Sequence, residues 1–381
     1  MTITRMTTVS TSVEMGLRFI GIWPGSAYGN FQWFVYMTSV VIVMYFQYAF
    51  IVKNFDRNHL SVLIDALSMT MAYSLAFLKL VSLWLNRRLF YEILATMDED
   101  WKEYITADSR MYPMIIYANL SRRCSNILMS INASAAVFYV LGGVVRGSAK
   151  DEDDPRETKF DLPVKMEFPF EVNESPIFEI TAVAQFLHEL SLSSLVAMIN
   201  SLVVTLILHV SGQIDIMRQG LMKISSESYQ NTSFPPEIKV LILKHQRIIT
   251  LSDNIDGLFS WIALMQFLSN TLVICCLGFM IIITIGNKQG AVVLTKSILF
   301  YVAITLEAFV FCFAGEYLSA KSKSIGDAVY ESVWYDMTPN QCRTLLLVIV
   351  RSQKRLTITA GKVMDLSLEG FTSVRPILIR V

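Results

Sequence analysis

Few residues of this chain have the types and spacing that catalysis or metal binding would require. The four histidines, His59, His188, His209 and His245, lie far apart, and no cysteine pair has the spacing of a metal site. The sequence contains neither an H-E-x-x-H motif nor a G-x-x-x-x-G-K-[ST] loop. We therefore expect neither an enzyme nor a bound cofactor, and the chemistry to be explained is binding.

Three of the titratable residues inside strongly apolar segments are candidates for a function, because an ionisable group there is costly and tends to be functional. They are Asp65, Lys79 and His188. The alternative for His188 is a structural hydrogen bond to a neighbouring helix. The alternative for Lys79 is an ammonium group that reaches toward the membrane surface.

The segments that must position these residues are apolar helices. Of the 381 residues, 53% are hydrophobic and 17% are charged, whereas about 25% of the residues are charged in a typical soluble chain. Because the apolar residues come in blocks long enough to cross a bilayer, we predict an all-α polytopic membrane protein. The predicted spans are residues 33–52, 62–85, 126–145, 178–210, 259–285 and 295–314, with a weaker seventh from Val363 to Val374.

Basic residues near the ends of these spans indicate the orientation, since positively charged loops stay in the cytosol. Six basic residues follow the second span and five follow the fourth, whereas the loop at residues 146–177 has nine acidic residues against five basic ones. The N-terminus is therefore predicted to be cytosolic, without a cleaved signal peptide. The acidic run "DEDDPRE" is predicted to lie in a solvated external loop, and no cysteine falls in such a loop to form a disulfide.

Two other classes of membrane protein fit the residues poorly. A G-protein-coupled receptor has an external N-terminus, a D-R-Y-like end to its third span and an N-P-x-x-Y-like seventh span. Here the third span opens with "SRRCSN" and the tail has no N-P-x-x-Y. A transporter remains the alternative from a different class, although internal repeats and paired broken helices are absent from the sequence.

The strongest signal lies between Ala328 and Val374, "AVYESVWYDMTPNQCRTLLLVIVRSQKRLTITAGKVMDLSLEGFTSV". This stretch closely resembles the C-terminal signature of insect odorant receptors. That pattern runs Y-E-S-x-W-Y-D, an apolar stretch, R-S-Q-K-P-L-x-L-T-A-G-K and L-S-L-x-x-F. The segments "LRFIGIWP" and "LPVKMEFPF" resemble the family more weakly.

The resemblance implies a seven-span bundle with a cytosolic N-terminus and a ligand-gated, non-selective cation channel in the plasma membrane of olfactory sensory neurons. The implied partners are a small volatile organic ligand, membrane lipid and the co-receptor Orco in a hetero-tetramer. The connection at residues 211–258 lacks the long insertion of Orco, which indicates a variable, odorant-binding subunit.

A gustatory receptor would typically end in a T-Y-x-x-x-x-Q-F-like motif, which this sequence lacks. The formal net charge of +0 gives no reason to expect nucleic-acid binding.

The resemblance also divides the chain into four regions. They are a cytosolic N-terminal segment at 1–32, a six-span ligand-binding bundle at 33–314, a cytosolic anchor for subunit contact at 315–360 and a pore-lining seventh span at 361–381. The last region departs from the pattern, because Arg375, Pro376 and Arg380 stand where the family continues an apolar helix. We expect this span to be truncated, either through a misassigned coding sequence or in a non-conducting variant.

The implied odorant pocket lies in the outer half of the bundle, where apolar and aromatic side chains predominate. The candidate ligand contacts are Met69, Tyr73, Phe138, Tyr139, Phe186, His188, Phe300 and Tyr301. The alternative for each is ordinary packing against a neighbouring helix or lipid.

The stretch "YESVWYDM" leads into the anchor, where the four subunits of the family meet. The candidate subunit contacts are Tyr330, Trp334, Tyr335, Arg351, Gln353 and Lys354. Large aromatic side chains with one polar group suit a protein–protein interface. The alternative is aromatic packing within one chain.

Overall fold

The computed structural model describes residues 7–26, 28–55, 60–106, 111–148, 162, 164–172, 174–223, 236–284, 291–370 and 372. Within these residues the chain forms nine α-helices, a single 3-10 turn and one short hairpin. The helices are α1 Thr11–Phe19, α2 Gly29–Lys53, α3 Leu60–Leu85, α4 Arg87–Thr106, α5 Met111–Ser148, α6 Ile177–Met222, α7 Pro236–Thr284, α8 Ala291–Glu331 and α9 Pro339–Gln353. The predicted acidic loop at 151–157 and the tail after residue 372 lie outside the described residues.

The all-α prediction is confirmed. Five described helices are long and apolar enough to cross a membrane, judged by length and composition: Gly29–Lys53, Val62–Leu85, Ile177–Met222, Glu237–Thr284 and Ser297–Glu331. Among the described residues, the helix α5, which contains the third predicted span, does not belong to these five. The number of spans and their orientation stay predictions.

The helices α5 to α8 are much longer than the spans predicted within them. The fourth predicted span ends at residue 210, but α6 continues to Met222, and along this extension Ile214, Met217 and Leu221 are buried against neighbouring helices. Polar residues share those turns, which lowers the hydropathy without breaking the helix. Hydropathy detects the part of a helix that suits lipid, and it misses an extension that packs against protein.

The helix α6 lies at the centre of the bundle. It is buried along most of its length and packs against α5 and α8, while α7 packs against α3 and α8. The helix α2 lies at the periphery and exposes large apolar side chains such as Phe34, Val41 and Tyr45. Such a surface is unfavourable in water, so it supports contact between α2 and lipid.

Residues 164–170 pack across one end of the bundle. The N–H of Val164 donates to the side-chain oxygen of Gln185 on α6 at 3.2 Å. The side-chain amide nitrogen of Gln185 donates back to the carbonyl of Val164 at 3.1 Å. The N–H of Glu167 donates to the carbonyl of Phe46 on α2 at 3.1 Å, and the rings of Phe46 and Phe168 lie 5.3 Å apart. This segment therefore ties α2 to α6.

The opposite end of the bundle, which we call the α9 end, carries α9 and the hairpin that follows it. Strand β1, Thr359–Ala360, pairs antiparallel with β2, Met364–Asp365. Gly361 and Lys362 both have φ of 61°, a left-handed conformation that ends any helix and makes the tight turn. The predicted seventh span, 363–374, therefore starts within a hairpin, and residues 371, 373 and 374 of it lie outside the described residues.

This hairpin docks on α7 through Asp256 and Ser260. The carboxylate of Asp256 accepts from the N–H and hydroxyl of Thr359 at 2.7 and 2.8 Å and pairs with the ammonium of Lys362. The carbonyl of Ser260 accepts from the N–H of Gly361 at 2.9 Å. The "TAGK" part of the motif thus has a local structural role, because Thr359, Gly361 and Lys362 each form hydrogen bonds to α7.

We expect Asp256→Ala to release the hairpin from α7. The substitution leaves the N–H of Thr359 without its acceptor in a largely buried site and removes one of the two partners of its hydroxyl, which costs about 2–3 kcal/mol. Thermal unfolding of the detergent-purified protein and proteolysis near residue 362 would measure this loss. The matched control is Asp253→Ala, one turn earlier on the exposed side of α7. Equal losses for the two variants would contradict the docking role.

Two polar clusters join the long helices toward the α9 end. In the first, the carboxylate of Asp215 on α6 contacts the ammonium of Lys321 on α8 at 2.8 Å and accepts from the hydroxyl of Tyr117 on α5. Burial, reinforced by the hydrogen bond to Asp215, raises the pKa of Tyr117 to about 12. Tyr117 therefore stays a neutral donor at physiological pH.

The second cluster, which we call the Asp100 cluster, consists of Thr8, Asp100, Trp101, His209 and Arg247. One chain of hydrogen bonds satisfies its geometry: Trp101 Nε1 donates to Thr8 Oγ1, Thr8 donates to His209 Nδ1 and His209 Nε2 donates to Asp100, each at 3.0 Å. The Nε atom of Arg247 lies 2.9 Å from the other carboxylate oxygen. The cluster ties the segment before α1 to α4, α6 and α7.

Candidate functional site

A cavity of about 80 Å³ lies inside the bundle, between α3, α5, α6, α7 and α8. Its wall is largely apolar, with alanine and valine side chains beside Met69 and Phe300. A smaller number of polar side chains interrupt this wall: Tyr73, Lys79, Asn132, Glu189, Ser193, Ser269, Asn270 and Glu307. A largely apolar cavity with a few polar groups is the usual form of a site for a small organic molecule.

A buried ion pair closes one side of the cavity. The ammonium of Lys79 on α3 lies 3.2 Å from the carboxylate of Glu307 on α8, and the Lys79 side chain is only 1% exposed. The amide of Gln266 on α7 donates to the same carboxylate oxygen at 3.4 Å. Lys79 therefore does not reach toward the membrane surface, because its charge is balanced inside the bundle.

A second polar group joins α3 to α6 at the cavity wall. The hydroxyl of Tyr73 lies 3.3 Å from His188 Nδ1, and the two rings are stacked with centroids 5.7 Å apart. Glu189 also lies close enough to Tyr73 to interact with it. The contact between Tyr73 and His188 is satisfied whether His188 Nδ1 or the Tyr73 hydroxyl donates, depending on the tautomer of His188.

The structure brings only some of the predicted ligand contacts to this cavity. Met69, Tyr73 and Phe300 line it, and His188 contacts it through Tyr73. The half-buried Phe186 and Tyr301 pack beside the apolar core instead. Phe138 is 55% exposed on α5, and the side chain of Tyr139 lies outside the described residues.

Comparison with known proteins gives the family. The family described as 7tm Odorant receptor matches residues 59–375 of this chain. The chain belongs to the insect odorant receptors.

Individual relatives support this membership over most of their length. The receptor is 21% identical to Odorant receptor 82a of Drosophila melanogaster, over 86% of this chain and 85% of that protein. It is 24% identical to Odorant receptor 13a of the same species, over 92% of this chain and 85% of that protein.

The fold of the receptor is also that of a solved insect olfactory receptor. The structure of OR5 from Machilis hrabei in complex with eugenol matches with a TM-score of 0.77, and it covers 97% of this chain and 94% of OR5. The two sequences are 14% identical, so the likeness concerns the fold. The family match together with this fold identifies the chain as a multi-pass helical receptor rather than an enzyme.

Sequence reasoning missed several residues of the cavity in this odorant receptor. Glu307 stands in the predicted sixth span and Glu189 directly follows His188 in the fourth, so the rule that selected Lys79 would have selected both. Ser269 and Asn270 bring α7 into the wall. No sequence signal marks these two, because Ser and Asn are common in apolar helices.

The candidate subunit contacts of the receptor lie on the surface at the α9 end. Tyr330 is 73% exposed and Tyr335 is 68% exposed, with Trp334 packed edge-on against Tyr335 at 6.1 Å. Gln353 and Lys354 are exposed, and Arg351 donates to the carbonyl of Lys354 at 3.2 Å. Aromatic packing within the chain thus covers these side chains only in part.

Proposed function

We propose that this receptor is the variable, odorant-binding subunit of a ligand-gated, non-selective cation channel. It works with the co-receptor Orco in the plasma membrane of olfactory sensory neurons, and a volatile organic molecule binds in the cavity. The cavity is the observation that carries this proposal, because it is mostly apolar and lined by five helices. The solved complex of OR5 with eugenol supports a small organic ligand for this fold.

The position of the cavity supports a role in gating. A ligand shifts an equilibrium only through its different affinities for the two states. Here the walls come from α3, α5, α6, α7 and α8, so relative motion of these helices changes the cavity shape. Helix α8 continues from the cavity at Phe300 to Glu331, next to the predicted subunit contacts. A shift of α8 on ligand binding would therefore be carried to the α9 end.

The apolar surface at the α9 end supports assembly into a multi-subunit channel. Beside Tyr330 and Tyr335, the α9 side chains Leu346, Leu347 and Val350 are exposed. Together they form a surface with the aromatic and aliphatic composition of interface cores. We propose that this surface contacts Orco or another subunit, with Trp334, Arg351, Gln353 and Lys354 at its edge.

We expect Ala303→Leu to abolish or strongly weaken the response to odorants. The added side chain fills space in a cavity of about 80 Å³, and overpacking that opposes the ligand lowers its potency by about tenfold or more. The measurement is whole-cell current from cells that co-express the receptor and Orco, exposed to a broad panel of volatiles. The matched control is Ala320→Leu, at an exposed position on the same helix.

Two results would contradict the proposal. The first is the absence of current to every volatile although the receptor reaches the surface and a reference odorant receptor responds in the same cells. The second is an unchanged odorant response of Ala303→Leu, which would place the ligand outside this cavity.

A further inference from the structure

We propose that a pocket at the α9 end binds the headgroup of a phosphoinositide lipid. The pocket has a volume of about 380 Å³, lies between α5, α6 and α8, and shares no lining residue with the cavity inside the bundle. We call it the Arg218 pocket. Its volume falls in the range of about 300–1,000 Å³ that is usual for pockets that hold organic molecules. The polar side chains of its wall are those of Tyr112, Tyr117, Asp215, Arg218, Gln219 and Lys321.

The charges of the Arg218 pocket favour an anion. Among the described residues that line it, Arg218 and Lys321 are basic and Asp215 alone is acidic. Both carboxylate oxygens of Asp215 are already used, since the ammonium of Lys321 lies 2.9 and 2.8 Å from them and the hydroxyl of Tyr117 donates to one. One carboxylate therefore faces two cations, and the wall has an excess of positive charge.

Arg218 is the cation that the described protein leaves without an acceptor. Its Nη1 atom lies 3.7 Å from the carboxylate of Asp215, which is beyond hydrogen-bond distance. Its Nε atom has no hydrogen-bond partner among the described residues either. The side chain is 31% exposed, so a ligand can reach the guanidinium group. Guanidinium groups bind phosphate oxygens in pairs through charge-assisted hydrogen bonds, and a phosphate would therefore supply what Arg218 lacks.

An apolar strip on α5 favours a lipid over a soluble anion. The side chains of Ile116, Leu120, Ile127 and Ile131 are exposed, and their spacing places them on one face of the helix. Ile116 lines the Arg218 pocket, whereas Ile127 and Ile131 fall within the predicted third span. Arg123, which is also exposed, lies on this face between Leu120 and Ile127. An acyl chain can lie along the strip, with Arg123 placed to meet the phosphate that joins the glycerol to the headgroup.

The depth of the pocket selects the kind of headgroup. Asp215 and Arg218 follow the predicted end of the fourth span, residue 210, by five and eight residues. At 1.5 Å per residue they lie about 8–12 Å beyond the hydrocarbon, whereas the headgroup layer is about 5–8 Å thick on each side. A phosphorylated inositol ring projects from that layer and reaches them. The α9 end is predicted to be cytosolic, and basic pockets between helices on that side bind such headgroups.

The test measures thermal stabilisation of the detergent-purified receptor by dioctanoyl phosphatidylinositol bisphosphate. Dioctanoyl phosphatidylcholine and free inositol trisphosphate serve as comparisons for the acyl chains and for the headgroup. We expect the phosphoinositide to raise the unfolding temperature, with an apparent affinity at least about tenfold higher than that of either comparison.

Variants of single arginines locate the binding site. We expect Arg218→Gln to lower the apparent affinity for the phosphoinositide by about tenfold, because a charge-assisted contact is lost. Arg123→Gln should lower it by about threefold, since this side chain is more exposed. The matched control is Arg122→Gln, which is exposed next to Arg123 but lies about 100° away around α5, and which should leave the affinity unchanged.

The other outcomes overturn the proposal. Equal stabilisation by phosphatidylcholine would show that any lipid binds, and equal affinity for free inositol trisphosphate would show a site for soluble phosphates. Absence of stabilisation by the phosphoinositide, or an unchanged affinity in Arg218→Gln, would also contradict the site. If Arg218→Gln is not recovered as folded protein, Arg123→Gln decides by the same criterion. None of these results depends on a response to odorants.

Discussion

Glu307→Gln is expected to destabilise the receptor by about 3–5 kcal/mol, because it leaves the Lys79 ammonium buried without its carboxylate. Lys79 and Glu307 are both buried, and their charged groups lie 3.2 Å apart between α3 and α8. The loss would be measured as a lower unfolding temperature of the detergent-purified receptor and as less receptor at the cell surface.

A double variant separates the loss of pairing from the loss of shape. In Lys79→Met with Glu307→Met both charges are absent, and such apolar replacements of buried pairs are often neutral. We expect this variant to recover most of the stability lost in Glu307→Gln. For comparison, Glu14→Gln at the exposed pair with Arg18 should change stability by less than about 0.5 kcal/mol. An equal loss in the single and double variants would show that pairing is not the cause.

Asp100→Ala is expected to cost about 2–3 kcal/mol through the Asp100 cluster. The substitution removes the acceptor of His209 at 3.0 Å and the partner of Arg247 at 2.9 Å. His209 is fully buried, so its ring N–H would remain unsatisfied. Because the cluster holds Thr8, we also expect faster proteolysis of the segment before α1, measured by limited digestion and mass spectrometry.

The neighbouring residue provides the control for this prediction. Glu99 contacts the same Arg247 at 3.1 Å, but its side chain is exposed. Glu99→Ala should therefore cost no more than about 1 kcal/mol, as for other exposed ion pairs. If the two alanine variants lost equal stability, the contribution of the Asp100 cluster would not depend on its burial.

The helical segments could be predicted because transfer of the chain into lipid demands long apolar runs. The helix α3 corresponds closely to the predicted span 62–85. The helix α7 does not, since it begins at Pro236 rather than near residue 259. Its first turns, with Ile238, Ile248 and Leu251 buried among polar neighbours, are held by packing between helices. That packing depends on which helices become neighbours, and the hydropathy of a segment does not predict its neighbours.

The cavity could be predicted only in part, for a similar reason. Met69, Tyr73 and Phe300 follow from their types and their places along apolar segments. The pairing of Lys79 with Glu307 joins residues 228 positions apart, and nothing local in the sequence connects them. The exposure of Phe138 is a property of how α5 is rotated in the bundle. The chemical character of one residue can be predicted from the sequence. Whether two residues far apart in the chain lie close together can be seen only in the folded structure.

The alanines that line the cavity have a consequence for how such receptors diversify. Ala72, Ala76, Ala135, Ala136 and Ala303 contribute to the wall from three different helices. A change at one of them to a slightly larger residue alters the shape of the space while the Lys79 and Glu307 pair continues to hold α3 to α8. Selection can therefore retune the preferred ligand by single nucleotide changes, such as alanine to valine, without first losing the folded protein.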